Sequence, residues 1–258
     1  MRAGTVYVWT VMLFGLFLQA VSTPNYVIAA GTALRVEPNK LHVSESFRGA
    51  LVTISADIPK GAGAIVEIEG ATHDDRLLRQ GRRGGLWMSV GEVTVQGAPS
   101  VYLVETTPDL ASHPDTGAQW GYEALQKRMA FSGAIPEDGV GVLFEQFVRL
   151  KESEGLYGLF PRSLKPTRAS ENHTTVEGEF VLPSNIAPGN YRVVLSVLNS
   201  GKLLERQSAE FSIDMTGLPG FLASLAYHHA ALYGLAAVVI AIVTGFVMGI
   251  LFTSKGSH

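Results

Sequence analysis

Four arginines within eight residues, Arg76, Arg79, Arg82 and Arg83, form the one basic cluster of the chain. Guanidinium groups bind carboxylate, sulfate or phosphate through paired hydrogen bonds. The cluster is therefore read as a ligand-binding site for a small anion, a lipid head group or an acidic partner. Arg76 has a second reading, pairing with Asp74 or Asp75 if Asp74–Gln80 is a hairpin arm. His73-Asp74-Asp75 brings three metal-ligating side chains together in sequence. Adjacent strand residues point to opposite faces, and a metal needs ligands converging from several elements. The triplet is thus expected to be a solvated turn, and no metal site is expected. Glu67 and Glu69 share one face of a strand and are expected to form a solvent-facing stripe. His228 and His229 stand at the start of a long apolar segment, where they read as interfacial anchors.

No G-x-S-x-G, phosphate-cradling glycine loop or H-E-x-x-H occurs. The absence of cysteine removes disulfides, thiolate zinc sites, c-type haem attachment and cysteine nucleophiles. The expected protein is non-enzymatic, with no catalytic residue and no cofactor. Between the uncharged ends lie 18 basic and 23 acidic residues. That acidity argues against nucleic acid as a partner, which calls for a strongly basic face.

The elements that position these side chains read as mainly β. From Leu34 to Thr107, short apolar runs alternate with breakers. The runs are Leu41–Val43, Ala50–Ile54, Ala64–Ile68, Leu86–Met88, Val93–Val95 and Val101–Val104; the breakers are Pro59-Lys60-Gly61, Gly70, Gly84-Gly85 and Gly97-Ala98-Pro99. Strands at this spacing predict a β-sandwich of immunoglobulin-like type over 34–107. Helical spacing then predicts a two-helix insertion within 118–155, with helices over Tyr122–Phe131 and Val140–Glu154. A second β-rich segment covers 156–215, with strands at Thr174–Leu182, Tyr191–Leu198 and Leu203–Ile213 and a hairpin turn at Asn199-Ser200-Gly201. One sandwich interrupted by helices and two sandwiches in series both satisfy this pattern.

The ends predict the topology. Arg2 precedes the apolar run Val6–Leu18, and Ala20-Val21-Ser22 supplies small residues for cleavage, so 1–22 reads as a signal peptide. Ala230–Phe252 is 23 residues without a formal charge. At about 1.5 Å per residue this is roughly 34 Å of helix, enough to span a hydrocarbon core of about 30 Å. Residues 219–229 read as an interfacial extension of that helix, and 253–258 as a cytoplasmic tail marked by Lys255. Ala237, Ala241, Gly245 and Gly249 recur every fourth residue and form a small-residue, helix-packing face, with a GxxxG pair at its end. The expected partners are the membrane itself and a membrane protein or second copy packed on that face.

Gly85-Leu86-Trp87-Met88, Pro99-Ser100-Val101-Tyr102, Leu156-Tyr157-Gly158, Leu182-Pro183 through Pro188-Gly189-Asn190-Tyr191, and Leu232-Tyr233-Gly234-Leu235 follow one another along the chain. In that order they resemble an uncharacterised bacterial family of transmembrane proteins of alphaproteobacterial type, over about Leu34 to Phe252. The resemblance implies an envelope protein of the bacterial cytoplasmic (inner) membrane, single-pass, with its bulk in the periplasm. Members are often encoded beside sulfite-exporter-type permeases, which implies a role as accessory to a permease. The family brings no established catalytic or binding residues.

Overall fold

The computed structural model describes residues 33–110, 119–136 and 138–253. The expected signal peptide and the tail containing Lys255 lie outside the described residues, as does the first residue of the expected insertion.

Thirteen strands and four helices make up the described chain. They are β1 Leu34–Glu37, β2 Lys40–Val43, β3 Ala50–Pro59, β4 Gly63–Glu69, β5 Thr72–Arg83, β6 Leu86–Pro99, β7 Tyr102–Thr106, α1 Tyr122–Arg128, β8 Ala130–Gly133, α2 Val140–Ser153, β9 Tyr157–Phe160, β10 Lys165–Ala169, β11 His173–Leu182, β12 Gly189–Asn199, β13 Lys202–Met215, α3 Gly217–His228 and α4 Ala230–Thr253. The protein is mainly β, as its alternating apolar runs require.

Three sheets arise. A four-stranded sheet runs β1-β3-β11-β10, a six-stranded sheet runs β2-β13-β12-β4-β7-β9, and a three-stranded ribbon runs β5-β6-β8. Long-range pairing joins the two β-rich stretches: β3 lies antiparallel to β11 over their full lengths, and β4 lies antiparallel to β12. Residues 34–107 and 156–215 are therefore halves of shared sheets, and the intervening helices are an insertion into one body.

The four-stranded sheet is one-sided. In β3, Val52, Ile54, Ala56 and Ile58 are buried, while Leu51, Thr53, Ser55 and Asp57 face outward. That is the period-two pattern of a half-buried strand. The central strands of the six-stranded sheet are buried on both faces. Six successive residues of β4 and six of β12 are buried. The inward row Val193, Leu195, Val197 shares a core with β3 and β11, and on the outward face the helical insertion meets the neighbouring strands β4 and β7. This explains why β12 does not alternate cleanly between apolar and polar.

Three expectations about local structure are corrected. The first helix ends at Arg128, and Ala130–Gly133 pairs with Val93–Gln96 as β8. Phe131 thus serves a strand, because its backbone finds a ladder partner in β6. His73-Asp74-Asp75 is no turn but the opening of β5, and Leu86–Met88 and Val93–Val95 belong to one strand, β6. The turn between β5 and β6 is Gly84-Gly85, both with positive φ (59° and 86°). Two such residues suit the tight hairpin whose twist matches its strands.

At the C-terminus, α4 is long and apolar enough to cross a membrane, over Ala230–Ile250, and none of that span is buried against the protein. α3 leads into it with exposed Phe221 and Tyr227.

Candidate functional site

The insertion creates a second core on the outer face of the six-stranded sheet. Tyr102 of β7 points out of that sheet, beneath the start of α1. Its hydroxyl donates to Glu67 Oε1 at 2.9 Å and accepts from the Gly121 N–H at 3.0 Å. Arg128, at the other end of α1, reaches Glu69 Oε1 at 2.8 Å, and its guanidinium lies 5.8 Å from the centre of the Tyr102 ring. Helix α1 is thus tied at both ends to the pair Glu67 and Glu69. The expected solvent-facing stripe is corrected: Glu67 is only 4% exposed. Burial pushes its carboxyl above the ordinary value, opposed by the Tyr102 hydrogen bond. Burial and the neighbouring Glu67 likewise push the Tyr102 hydroxyl up. Two-residue spacing put both glutamates on one face. That the face is covered depends on a helix more than fifty residues away.

Helix α2 caps the same layer. Its inward side carries Leu143, Phe144, Phe147 and Val148. Phe147 meets Tyr157 edge-on at 5.9 Å, Tyr157 meets Tyr102 at 6.1 Å, and Phe131 meets Phe144 at 6.4 Å. Such edge-to-face contacts add to the area these rings bury. The Tyr157 hydroxyl donates to the Pro99 carbonyl at 2.8 Å, joining β9 to the base of the β5–β6 ribbon. Lys151 Nζ, near the end of α2, lies 2.9 Å from Asp75 Oδ2, and His73 Nε2 lies 3.0 Å from Asp75 Oδ1. The histidine–aspartate triplet therefore contributes one clamp between ribbon and helix. Among the described residues no group of three or more His, Asp or Glu side chains is placed to hold a metal ion.

Beyond that clamp, the ribbon and α2 diverge and leave an open cleft of about 330 Å³. Leu77, Val93, Phe131, Leu143, Phe147 and Leu150 line its apolar walls, and Arg79, Gln80 and Gln146 supply its polar edge. An apolar groove with a few polar groups is the usual form of a recognition site. Sequence reasoning missed it because its walls come from four separated elements.

The four arginines do not converge. Alternation along β5 puts Arg79 on the partly buried side, where it donates to the Ala134 carbonyl at 3.2 Å. Arg76 is exposed and stands 4.0 Å from Glu92, rather than pairing with Asp74 or Asp75. Arg82 and Arg83 flank the hairpin tip, opposite Trp87 and Leu86. From Arg76 to Arg83 the strand covers about 20 Å. A single small anion cannot touch all four.

A further buried carboxylate had no signal in the sequence. Glu105 of β7 faces the space between the two large sheets, is 3% exposed, and leaves Oε2 without a hydrogen bond. Burial raises its pKa from 4.5 to about 7. Gly178 of β11 leaves the room: a Cβ there would collide with the Glu105 carboxylate and the Leu164 side chain. Ser163, Lys165, Glu177 and Glu179 line the cleft outside it.

In α4, Ala237, Ala241, Gly245 and Gly249 are all exposed in the chain by itself, and a Cβ at Gly245 would meet only open space. The stripe lies along one side of the membrane helix, as four-residue spacing requires.

Comparison with known proteins bears on most of the chain. Residues 33–254 match the family described as Putative transmembrane protein (Alph_Pro_TM). No curated protein matches the chain. Among solved structures, that of murine CRIg aligns with 72% of this chain and 98% of its own, at 7% identity and a TM-score of 0.23, which is too low to carry an argument. The family match covers both halves of the shared sheets, the helical insertion and the apolar helix together, and the chain belongs to the Alph_Pro_TM transmembrane family.

Proposed function

We propose that this chain is a non-enzymatic, single-pass envelope protein whose β-rich body recognises a membrane protein partner and acts as accessory to a permease. The observation that carries the reading is the open apolar groove between the β5–β6 ribbon and α2, on a body joined to a bilayer by one helix. A tether confines the groove to the neighbourhood of membrane proteins and raises the effective concentration of any partner there. The small-residue face of α4 supports a second point of contact, since close backbone approach stabilises helix pairs in lipid. In this reading the body lies in the periplasm, the helix crosses the cytoplasmic membrane, and the C-terminus is cytoplasmic.

The test places a photo-crosslinking residue at Leu78 or Leu150, exposed positions at the groove, in the full chain in native membranes. The expected product joins the chain to a multispanning permease, and Leu143→Glu removes it. Gly245→Leu is expected to weaken recovery of that complex after mild detergent extraction. A chain that crosslinks only to itself or to lipid, and emerges alone in detergent, would overturn the reading.

The alternative of a small-anion receptor built on Arg76, Arg79, Arg82 and Arg83 needs guanidinium groups that converge, and the ribbon spreads them over both faces.

A further inference from the structure

The β5–β6 hairpin reverses the usual surface rule at its tip. Leu86 is 68% exposed and Trp87 71%, with Met88 also exposed. Arg82 and Arg83 stand directly across the ladder from Trp87 and Leu86. Exposed apolar residues gathered in one place mark an interaction surface. Tryptophan beside arginine, on a narrow tip, has the chemistry of the membrane interface, where an amphipathic ring settles at head-group depth and guanidinium groups meet phosphates.

The topology says where the ribbon leaves the body. β4 and β13 both run antiparallel to β12, so they run in the same direction. β13 ends at Met215 and hands the chain to α3 and the membrane helix α4. β4 ends at Glu69 on the same end of that sheet, level with Arg192 and Glu210. From there the ladder continues almost without a break. The Gly70 N–H donates to the Val101 carbonyl at 3.0 Å, and the Ser100 N–H donates to the Ala71 carbonyl at 2.9 Å. β5 and β6 follow at once. The ribbon and the membrane helix therefore leave the body from one end.

Reach is sufficient. The 12 residues of β5 extend about 40 Å at roughly 3.3 Å each. The 12 residues of α3 separate the body from α4 by at most about 18 Å. Even a steeply inclined ribbon covers that gap.

We infer that the tip formed by Leu86, Trp87 and Met88, with Arg82 and Arg83, is a second membrane contact that rests on anionic phospholipid in the bilayer crossed by α4. Charge complementarity selects the occupant: the body is acidic overall, and Arg82 and Arg83 stand on the hairpin tip that exposes Leu86, Trp87 and Met88 side by side. A second contact fixes the orientation of the body, and hence of the groove, relative to the bilayer.

The chain has no cysteine, so single labels are clean. Full-length protein carrying Leu86→Cys is labelled with an environment-sensitive fluorophore and reconstituted into vesicles of phosphatidylglycerol and phosphatidylcholine containing spin-labelled lipid. Ser200→Cys, on the β12–β13 turn at the opposite end of the sheet, is the reference. The expected result is quenching at position 86 several-fold stronger than at position 200, falling toward the reference level in R82E/R83E. The same label in vesicles of phosphatidylcholine alone is expected to lose most of its quenching. Equal, weak quenching at both positions would overturn the inference. So would a label at 86 that is shielded from aqueous iodide in native membranes yet exposed in pure lipid, since that result assigns the tip to a protein. The label reads lipid directly, so its outcome is independent of the permease crosslink.

Discussion

The two ends of one β-ribbon place their residues in opposite ways. At its base the β5–β6 hairpin holds a charged pair, half-buried Asp75 with buried Lys151 of α2, whose ammonium lies 5.4 Å from the centre of the Phe147 ring. At its tip it leaves Leu86 and Trp87 in the open. Sequence hydrophobicity ranks these segments the wrong way round. Charge is tolerated at the base because a helix supplies the counter-ion at 2.9 Å. Apolar surface persists at the tip because nothing in the body covers it, which is what a surface meant for another phase requires. Burial along this ribbon is decided by what lies opposite, not by the residue type alone.

Removing the cover at the base gives the largest expected effect. Phe147→Ala empties the aromatic layer between α2 and β9 and should cost about 3–4 kcal/mol, read as a lowered midpoint in chemical unfolding of the detergent-solubilised chain. Lys151→Met keeps the packing but leaves the Asp75 carboxylate without its cation, and should cost about 2 kcal/mol in the same measurement. If Lys151→Met proved neutral, the clamp would contribute nothing and the contrast with the tip would fail.

Glu105 sharpens the comparison, being a buried carboxyl whose Oε2 has no hydrogen-bond partner. Its folded pKa is raised from 4.5 to about 7 by burial. The folded state therefore holds the proton more tightly than the unfolded state. The resulting stabilisation is complete below pH 4.5 and is lost as pH rises through about 7. Glu105→Gln fixes the neutral form. It should match the parent below pH 4.5 and exceed it by roughly 1 kcal/mol above pH 7, seen in thermal unfolding across that range. The smallest stability effect is expected at the tip. Trp87→Ser should change the unfolding midpoint by less than about 0.5 kcal/mol, while abolishing the lipid contact. A large loss of stability there would show that the tip packs on the body.

How much of this was legible in the sequence follows the range of the interactions. The strands β4, β7, β11, β12 and β13 were readable because β-branched and apolar runs bounded by turns encode them locally. β5 was legible only as an alternative, a hairpin arm over Asp74–Gln80, since His73, Asp74 and Asp75 look like a solvated turn, and pairing with β6 makes all of Thr72–Arg83 a strand. Glu67 was misjudged for the same reason: its neighbours place it on a face, but a distant helix decides that the face is dry. The arginines were seen as a cluster because they are close in sequence, whereas the pleat and the bulge opposite Arg79 and Gln80 distribute them.

The sequence by itself determined the mainly β character, the apolar helix of α4 and its small-residue face, because these depend on local periodicity and on the cost of unpaired peptide groups in hydrocarbon. Only the tertiary structure decided that the two β-rich stretches share sheets, that Glu67 and Glu105 are buried, that a groove opens beside α2, and that the hairpin leaves from the same end as the membrane helix. Those outcomes rest on contacts between residues far apart in the chain, where closing a long loop is repaid only once both partners are in place.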